Sequence, residues 1–332
     1  MYEIRKYQVR FLTPAFLGNA EQNGQWRTPP FKALLRQWWR VAYAASHGFD
    51  VDVDKMKFNE GRLFGHAWLK NDTDSEGRSV SARKSVVRIR LAPWADGRLS
   101  KMPRTPKIGA GRISIASGLY LGYGPVKSET GLKMNHPIGP EESSLLEIGY
   151  PSDEEGAEWI EKALGLMHWY GTIGGRSRNG WGSLTLEPVD GTPAIGLETV
   201  AYQRDWRQAL KVEWSHALGK DETGALIWTT ATHDRWEEVV GELGRIRKQL
   251  NGACKGTERM ILNQPVKGKG ARVPSSLRFK LRKSGSGSLY GVVVHMPCTP
   301  DVIKGNPSAT EKVWRRVHEL LDADSGLQRL PQ

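Results

Sequence analysis

Apolar residues recur along this chain with two periods, and the alternation between them predicts its elements. Residues 2–12 are dense in β-formers, with Ile4, Tyr7, Val9 and Phe11, and read as a first strand. Thr13-Pro14 and Gly18-Asn19 turn the chain into a loop that reaches the Pro29-Pro30 pair. Phe31, Leu34, Leu35, Trp38, Trp39 and Ala42 then share one arc at helical spacing. A helix is predicted from Thr28 or Pro29 to about Ser46, stopped by Gly48. Lys32, Arg36 and Arg40, four apart, form a basic stripe on it. Residues 58–69 predict a short helix or turn ending near Gly65. Residues 85–91 alternate, with Val87, Ile89 and Leu91 to one face and Arg88 and Arg90 to the other. Strands follow at 119–123 and 145–150, a helix at 153–170, and a strand at 183–187.

That order, β-α-β-β-α-β, is the split βαβ or ferredoxin-like arrangement: an α+β fold with one antiparallel sheet, two helices on one face and the other face open. The Pro/Gly-rich stretch 188–196 marks a boundary. Beyond it, a strand at 225–230 precedes a helix at 234–250 capped by Thr232 or Asp234. A β-pair at 277–282 and 290–296 and a helix at 308–321 complete the series. Only eleven residues follow Leu321, so a fourth strand is expected to be missing there or supplied by 196–212. Two ferredoxin-like (RRM-like) domains are expected, 1–190 and 197–325, the second degenerate. A chain of 332 residues suits two such units.

Charge changes the picture. The formal net charge is +12, and it is segregated. Residues 78–112 hold ten basic side chains and one acidic one, Asp96; residues 245–283 hold twelve and one, Glu258. Residues 141–161 hold eight acids and no base. Segregated positive charge suits a polyanion, and nucleic acid binding driven by counterion release is the natural reading. With 39% hydrophobic and 25% charged residues, the composition is globular rather than disordered. Two cysteines, Cys254 and Cys298, fit a reducing, cytoplasmic setting, and no run is long enough for a membrane helix.

The segment Gly171-Thr172-Ile173-Gly174-Gly175-Arg176-Ser177-Arg178-Asn179-Gly180-Trp181-Gly182 follows a helix and opens a strand. That order excludes a dinucleotide loop, and the missing Gly-Lys-Ser/Thr excludes a P-loop. What remains is a glycine backbone flanked by arginines that can fork onto phosphate oxygens. The early loop offers Asn19, Gln22, Asn23, Gln25 and Arg27 for backbone and base-edge hydrogen bonds. Tyr120, Tyr123, Trp26 and Trp181 are candidate stacking platforms. Metal ligation is poorly supported. No histidine pair has ligand spacing, and Asp50, Asp52 and Asp54 would share a face only in an extended strand. For metal-free RNA cleavage His47 is the weak candidate base, followed by His66. No nucleophile elbow appears, and no cofactor is implied.

The segments Phe11-Leu12-Thr13-Pro14, Phe16-Leu17-Gly18-Asn19-Ala20-Glu21-Gln22, Arg27-Thr28-Pro29-Pro30-Phe31-Lys32 and Leu35-Arg36-Gln37-Trp38-Trp39-Arg40 resemble the opening of the RAMP superfamily. The likeness is greatest to the first-subunit branch of the Cmr effector complexes of type III-B CRISPR systems. Leu63-Phe64-Gly65, the loop 174–183 and Arg272-Val273-Pro274-Ser275-Ser276-Leu277 resemble further elements of that family. Asn179 stands where the family pattern leads one to expect a second arginine, and residues 78–112 match nothing in it.

The resemblance implies a non-catalytic, RNA-binding subunit of a ribonucleoprotein in antiviral defence. Such a subunit contacts the 3′ part of guide RNA (crRNA), target RNA or both, together with neighbouring RAMP subunits. The foremost expected contacts are Arg27, Lys32, Arg36, Arg40, Arg176 and Arg178, joined by Asn19, Gln22, Gly174, Gly175 and Ser177. Arg88, Arg90 and the 245–283 group, with Lys267, Lys269 and Arg272, come second. The alternatives are a metal-independent endoribonuclease of the same superfamily and a protein-only scaffold.

Overall fold

Two sheets with the same internal order organise the chain. The computed structural model describes all residues except 68, 70–71, 75, 110–113, 197, 257, 263–274, 300–306 and 331–332. The first half runs β1 (Tyr2–Phe11), α1 (Thr28–Ser46), α2 (Val53–Phe64), β2 (Arg88–Ala92), β3 (Lys107–Ile108), β4 (Ile115–Ala116), α3 (Ser117–Gly122), β5 (Ser143–Pro151), α4 (Glu158–Tyr170) and β6 (Leu184–Pro188). Its main sheet has the order β2-β5-β1-β6 and is antiparallel throughout. Tyr7, Val9 and Phe11 of β1 and Leu146, Ile148 and Tyr150 of β5 face Leu35, Trp38 and Trp39 of α1 and Ile160, Leu164 and Met167 of α4 in one core.

The second half contributes β7 (Gln203–Asp205), α5 (Trp206–Ala209), β8 (Leu218–Asp221), β9 (Gly224–Ala225), β10 (Ile227–His233), α6 (Trp236–Ala253), α7 (Glu258–Ile261), β11 (Leu277–Lys283), β12 (Leu289–His295), α8 (Pro307–Asp322) and β13 (Leu327–Arg329). Its sheet has the order β11-β12-β10-β13. By position in the βαββαβ series, both sheets read 2-3-1-4, an α+β architecture of antiparallel sheets consistent with ferredoxin-like folds.

Three expectations change. The fourth strand is present as β13, pairing Trp228 with Arg329 and Thr230 with Leu327. Three residues are too few to show a period, so the sequence hides it. Residues 203–205 instead pair with β8 in a separate small sheet. Residues 117–122 form helix α3 rather than a strand. Its close packing explains this: a Cβ on Gly122 would lie 2.8 Å from Val126 Cγ2, and one on Gly244 of α6 would lie 2.8 Å from Ser117 Cβ. Finally, α2 starts at Val53, because the Asp52 carboxylate accepts from the backbone N–H groups of Asp54 and Lys55 at 3.0 and 3.1 Å. Asp50, Asp52 and Asp54 therefore do not form the extended, one-faced row that cation binding would need.

The halves meet along β11. Phe279 donates its N–H to Arg178 O at 2.9 Å, and Leu281 donates to Ser183 Oγ at 2.8 Å. Leu277, Phe279 and Leu281 join the second core. The other face of β11, Arg278, Lys280 and Arg282, turns to the helices of the first half. Arg278 lies 5.5 Å from the Trp38 ring centre, Arg282 3.3 Å from that of Trp169. Lys280, 2% exposed, donates its ammonium to Met167 O and His168 O in the last turn of α4, where the helix dipole favours a cation. Arg247 is also buried and donates to Leu262 O at 2.7 Å. The described part of the 245–283 run thus places several of its cations inside the protein rather than on an open surface.

Burial, and secondarily the charge of Arg282, pulls Lys280 well below its ordinary 10.5. The folded state then binds fewer protons than the unfolded one between the two values, so stability rises with pH across that window. Thermal melting from pH 7 to 9.5 should show this rise in the native protein and a flatter profile in Lys280→Met.

Candidate nucleic-acid interface

Four loops assemble at one place on the first half. The early loop is tied to the glycine-rich loop where Gly175 donates to Phe16 O at 3.0 Å and Gly182 to Pro14 O at 2.9 Å. It is tied to the segment after α3 where Gly24 donates to Asn135 O at 2.7 Å. Leu99 and Met102 of the basic stretch donate to Pro137 O and Thr130 O, each at 3.0 Å. Asn179 donates its amide to Leu121 O at 2.9 Å, closing the set. Residues 13–27, 94–107, 123–137 and 174–179 therefore share one neighbourhood.

The surface they build is cationic. Lys101, Arg104, Lys127 and Lys133 are exposed, and none meets a carboxylate among the described residues. Tyr123, which opens the 123–137 segment that carries Lys127 and Lys133, is 70% exposed. Arg176 leans over Gly124, its Nη2 3.6 Å from where a Cβ would sit. Of the other three aromatic candidates, none is an open platform. Trp26 and Trp181 are buried, the first stacked on Phe31 at 6.3 Å and the second wedged between Phe16 and Trp236. The Tyr120 hydroxyl accepts from Asn251 at 2.6 Å.

The glycine-rich loop is less open than its sequence suggests. A Cβ on Gly174 would lie 2.7 Å from Phe16 O, and one on Gly182 2.0 Å from Ile173 O. Both glycines have positive φ, 92° and 63°, so they serve close packing and left-handed turns. Gly174–Asn179 remain partly accessible at the apex. Ser177, Arg178, Asn179 and Ser275 line a concavity of about 230 Å³ there with Arg176. Arg178 is turned inward, donating to Ser275 O at 3.1 Å, and burial lowers its pKa.

The remaining candidates divide. Arg27 is beside the early loop, donating to Gly18 O at 2.7 Å. Asn19 spends its carboxamide oxygen on the N–H groups of Glu21 and Asn23; Gln22 is exposed, at φ 63°. Lys32 is half-buried, its pKa lowered by burial and then by Arg36. Arg36 and Arg40 are not open cations: both grip Glu60, whose side chain is 5% exposed, with Nε distances of 2.7 and 2.6 Å. They line a different cleft, with Lys57 and Trp214. Arg88 and Arg90 lie on the open face of the sheet, Arg88 over the Tyr2 ring and Arg90 3.7 Å from Glu147. Lys267, Lys269 and Arg272 fall outside the described residues. The four-loop surface thus gathers Asn19, Gln22, Arg27 and the 174–178 group, and leaves Arg36, Arg40, Arg88 and Arg90 elsewhere.

His47 sits at the far end of α1, about 30 Å along the axis from Arg27. It stacks on Tyr43 at 4.1 Å and contacts Tyr43 O at 2.8 Å. His66 is buried and bonded to Asp72, which Arg83 and His66 hold at about 2. Among the described residues no cluster of three or more His, Cys, Asp or Glu is placed to hold a metal ion, and no helix is long and apolar enough to cross a membrane. The acidic stretch 141–161 is dispersed into pairs: Glu142 with Arg98, Glu154 with Arg62, and Glu161 with Arg5 and the Tyr150 hydroxyl.

Lys127 and Lys133 escape sequence reasoning because they occupy no periodic element. A tight reversal, Lys127 N–H to Gly131 O at 2.9 Å, brings them beside the basic stretch that holds Lys101 and Arg104.

Solved chains similar to this one include apo Cmr1 from Pyrococcus furiosus, with 16% identity over 88% of this chain and 87% of that one and a TM-score of 0.48. Another is a chain of a type III-B Cmr-β complex bound to cognate target RNA, with 13% identity over 95% and 99% and a TM-score of 0.48. No match is found among curated proteins. The RAMP superfamily model matches residues 8–185, from within β1 through helices α1 to α4 and the glycine-rich loop into β6; with more than half its length so matched, the chain belongs to the RAMP superfamily.

Proposed function

We propose that this chain is a non-catalytic RNA-binding subunit of a CRISPR ribonucleoprotein effector of the type III-B (Cmr) kind. It engages the 3′ part of guide RNA, target RNA or both, and neighbouring RAMP subunits. The observation that carries the reading is the four-loop surface, where Lys101, Arg104, Lys127 and Lys133 are exposed with no carboxylate partner among the described residues and the Tyr123 ring is 70% exposed. Cations clustered without carboxylate partners release counterions from a phosphodiester chain, and an exposed ring accepts an unstacked base without reading its identity. Membership of the RAMP superfamily supports the same partner class.

The test is single-stranded RNA binding by the isolated chain across a salt series. Replacing the four cations by alanine should flatten the dependence of log K on log salt by about 0.7 for each phosphate that the variant no longer neutralises. Tyr123→Ala should weaken binding by about 1–3 kcal/mol with little change in slope. A slope unchanged in the fourfold variant would remove this surface from the RNA path. Cutting of labelled RNA in EDTA, abolished in His47→Ala, would overturn the non-catalytic part.

A further inference from the structure

We propose that the cleft bounded by β1, α1, α4 and residues 193–196 and 198–202 is a binding site for an uncharged nucleoside. It lies at the opposite end of α1 from Arg27 and the four-loop surface, and it does not depend on the RNA reading. Its volume is about 560 Å³, within the range of roughly 300–1,000 Å³ usual for small-molecule sites. The chain that crosses it is held on both sides. The Lys6 N–H donates to Thr192 Oγ1 at 2.9 Å, and Arg204 donates to Phe49 O, just past α1, at 3.2 Å.

Two tyrosines set the chemistry. Tyr7 is 3% exposed and Tyr202 6%. Neither hydroxyl has a hydrogen-bond partner among the described residues, whereas the Tyr150 hydroxyl donates to Glu161 at 2.9 Å. Neither is sealed off, so each reaches the cleft that its residue lines. Burial, then the charge of Glu161, pushes Tyr7 up to about 12; burial, then Glu198, raises Tyr202. Both keep their protons near pH 7 and can donate or accept. Buried hydroxyls are ordinarily paired, so two unpaired ones in one cleft mark where the polar edge of a ligand belongs.

The charges of the lining cancel. Arg5 and Lys162 are matched by Glu161 and Glu198, and Arg5 is itself bonded to Glu161 at 2.7 Å. Such a lining offers a phosphate no net attraction. The remaining wall is small and apolar, with Ala42, Ala45, Ala194, Ala201, Pro193 and Ile195. A nucleoside answers both features. The flat faces of its base suit small apolar side chains, and its base edge and ribose hydroxyls suit the two tyrosines and the ion pair.

The test is equilibrium dialysis of the full chain against adenosine, cytidine, guanosine and uridine and their 5′-monophosphates. At least one nucleoside should bind saturably, and its monophosphate no tighter. Tyr7→Phe and Tyr202→Phe keep the rings and should each weaken that binding about two- to tenfold, the worth of one hydrogen bond. Because neither hydroxyl has an internal partner, both variants should melt no lower than the native protein. Ala201→Trp, which fills the cleft, should abolish binding. RNA binding by the double Phe variant distinguishes two sources: a weakened affinity assigns the seat to a nucleoside unit of the strand, an unchanged one to a free nucleoside. Absence of saturable binding of all four nucleosides to the native chain overturns the proposal. So does binding that survives both Phe substitutions and Ala201→Trp, or a monophosphate that binds tenfold tighter than its nucleoside. Failure of the native chain to bind RNA would strike the proposed function while leaving this site standing.

Discussion

Trp181→Ala is expected to destabilise the protein by about 3–5 kcal/mol, the range for emptying a fully buried large aromatic site. Trp181 has no exposed surface. Its ring is edge-on to Phe16 at 5.6 Å and to Trp236 at 6.0 Å, so one side chain joins the early loop, the glycine-rich loop and the first residue of α6. The cavity cannot collapse easily, because Gly182, next in the chain, holds a positive φ with no room for a Cβ beside Ile173 O. Equilibrium unfolding in urea, followed by tryptophan fluorescence and by far-UV circular dichroism, checks the loss. Coincident transitions in the variant would show that the halves still unfold together. A loss below about 1 kcal/mol would show that the ring is not what binds them.

Acidification should remove a comparable amount. Burial lowers His168 and His318 from 6.5 to about 3 each, with the cations Lys280 and Arg282 acting second on His168. Burial also holds His295, which shares a 2.9 Å contact with His318, well below 6.5. The folded state therefore binds fewer protons than the unfolded one between pH 6.5 and about 3, and stability falls as pH falls through that window. At pH 5 a group shifted this far costs on the order of 2 kcal/mol, so His168 and His318 together remove about 4 kcal/mol. His168→Asn retains an acceptor for the Leu186 N–H, which His168 Nδ1 receives at 3.1 Å. Urea titrations at pH 7 and pH 5 should show the native protein losing about 2 kcal/mol more than this variant. Equal losses would place the acid sensitivity elsewhere.

The sheet order and main helices are legible in the sequence because their residues obey a period. Phe31 through Ala42 declare α1, and the alternation of 85–91 overlaps β2, which starts later, at Arg88, and runs one residue further, to Ala92. What the sequence conceals depends on distant partners. The stripe of Arg36 and Arg40 is real, but Glu60, which neutralises part of it, lies on the next helix. Arg278, Lys280 and Arg282 alternate with Leu277, Phe279 and Leu281, a pattern that looks half-solvated. Their polar face is covered by α1 and α4, whose Trp rings and C-terminal carbonyls receive the cations. Of the interface, the early loop and residues 174–178 are identifiable from motif, and net charge marks Lys101 and Arg104. The convergence of these segments depends on backbone hydrogen bonds between loops, which leave no local signature.

The pairing of β11 with the glycine-rich loop also bears on how the protein behaves when crowded. An unpaired strand edge is a template for another chain, and proteins protect such edges by covering, shortening or charging them. Here β11 is covered along part of its length, β13 is three residues long, β6 ends at Pro188, and β2 carries Arg88 and Arg90. Concentrated solutions should therefore resist fibril-like growth through strand addition, and self-association would have to use side-chain surfaces instead.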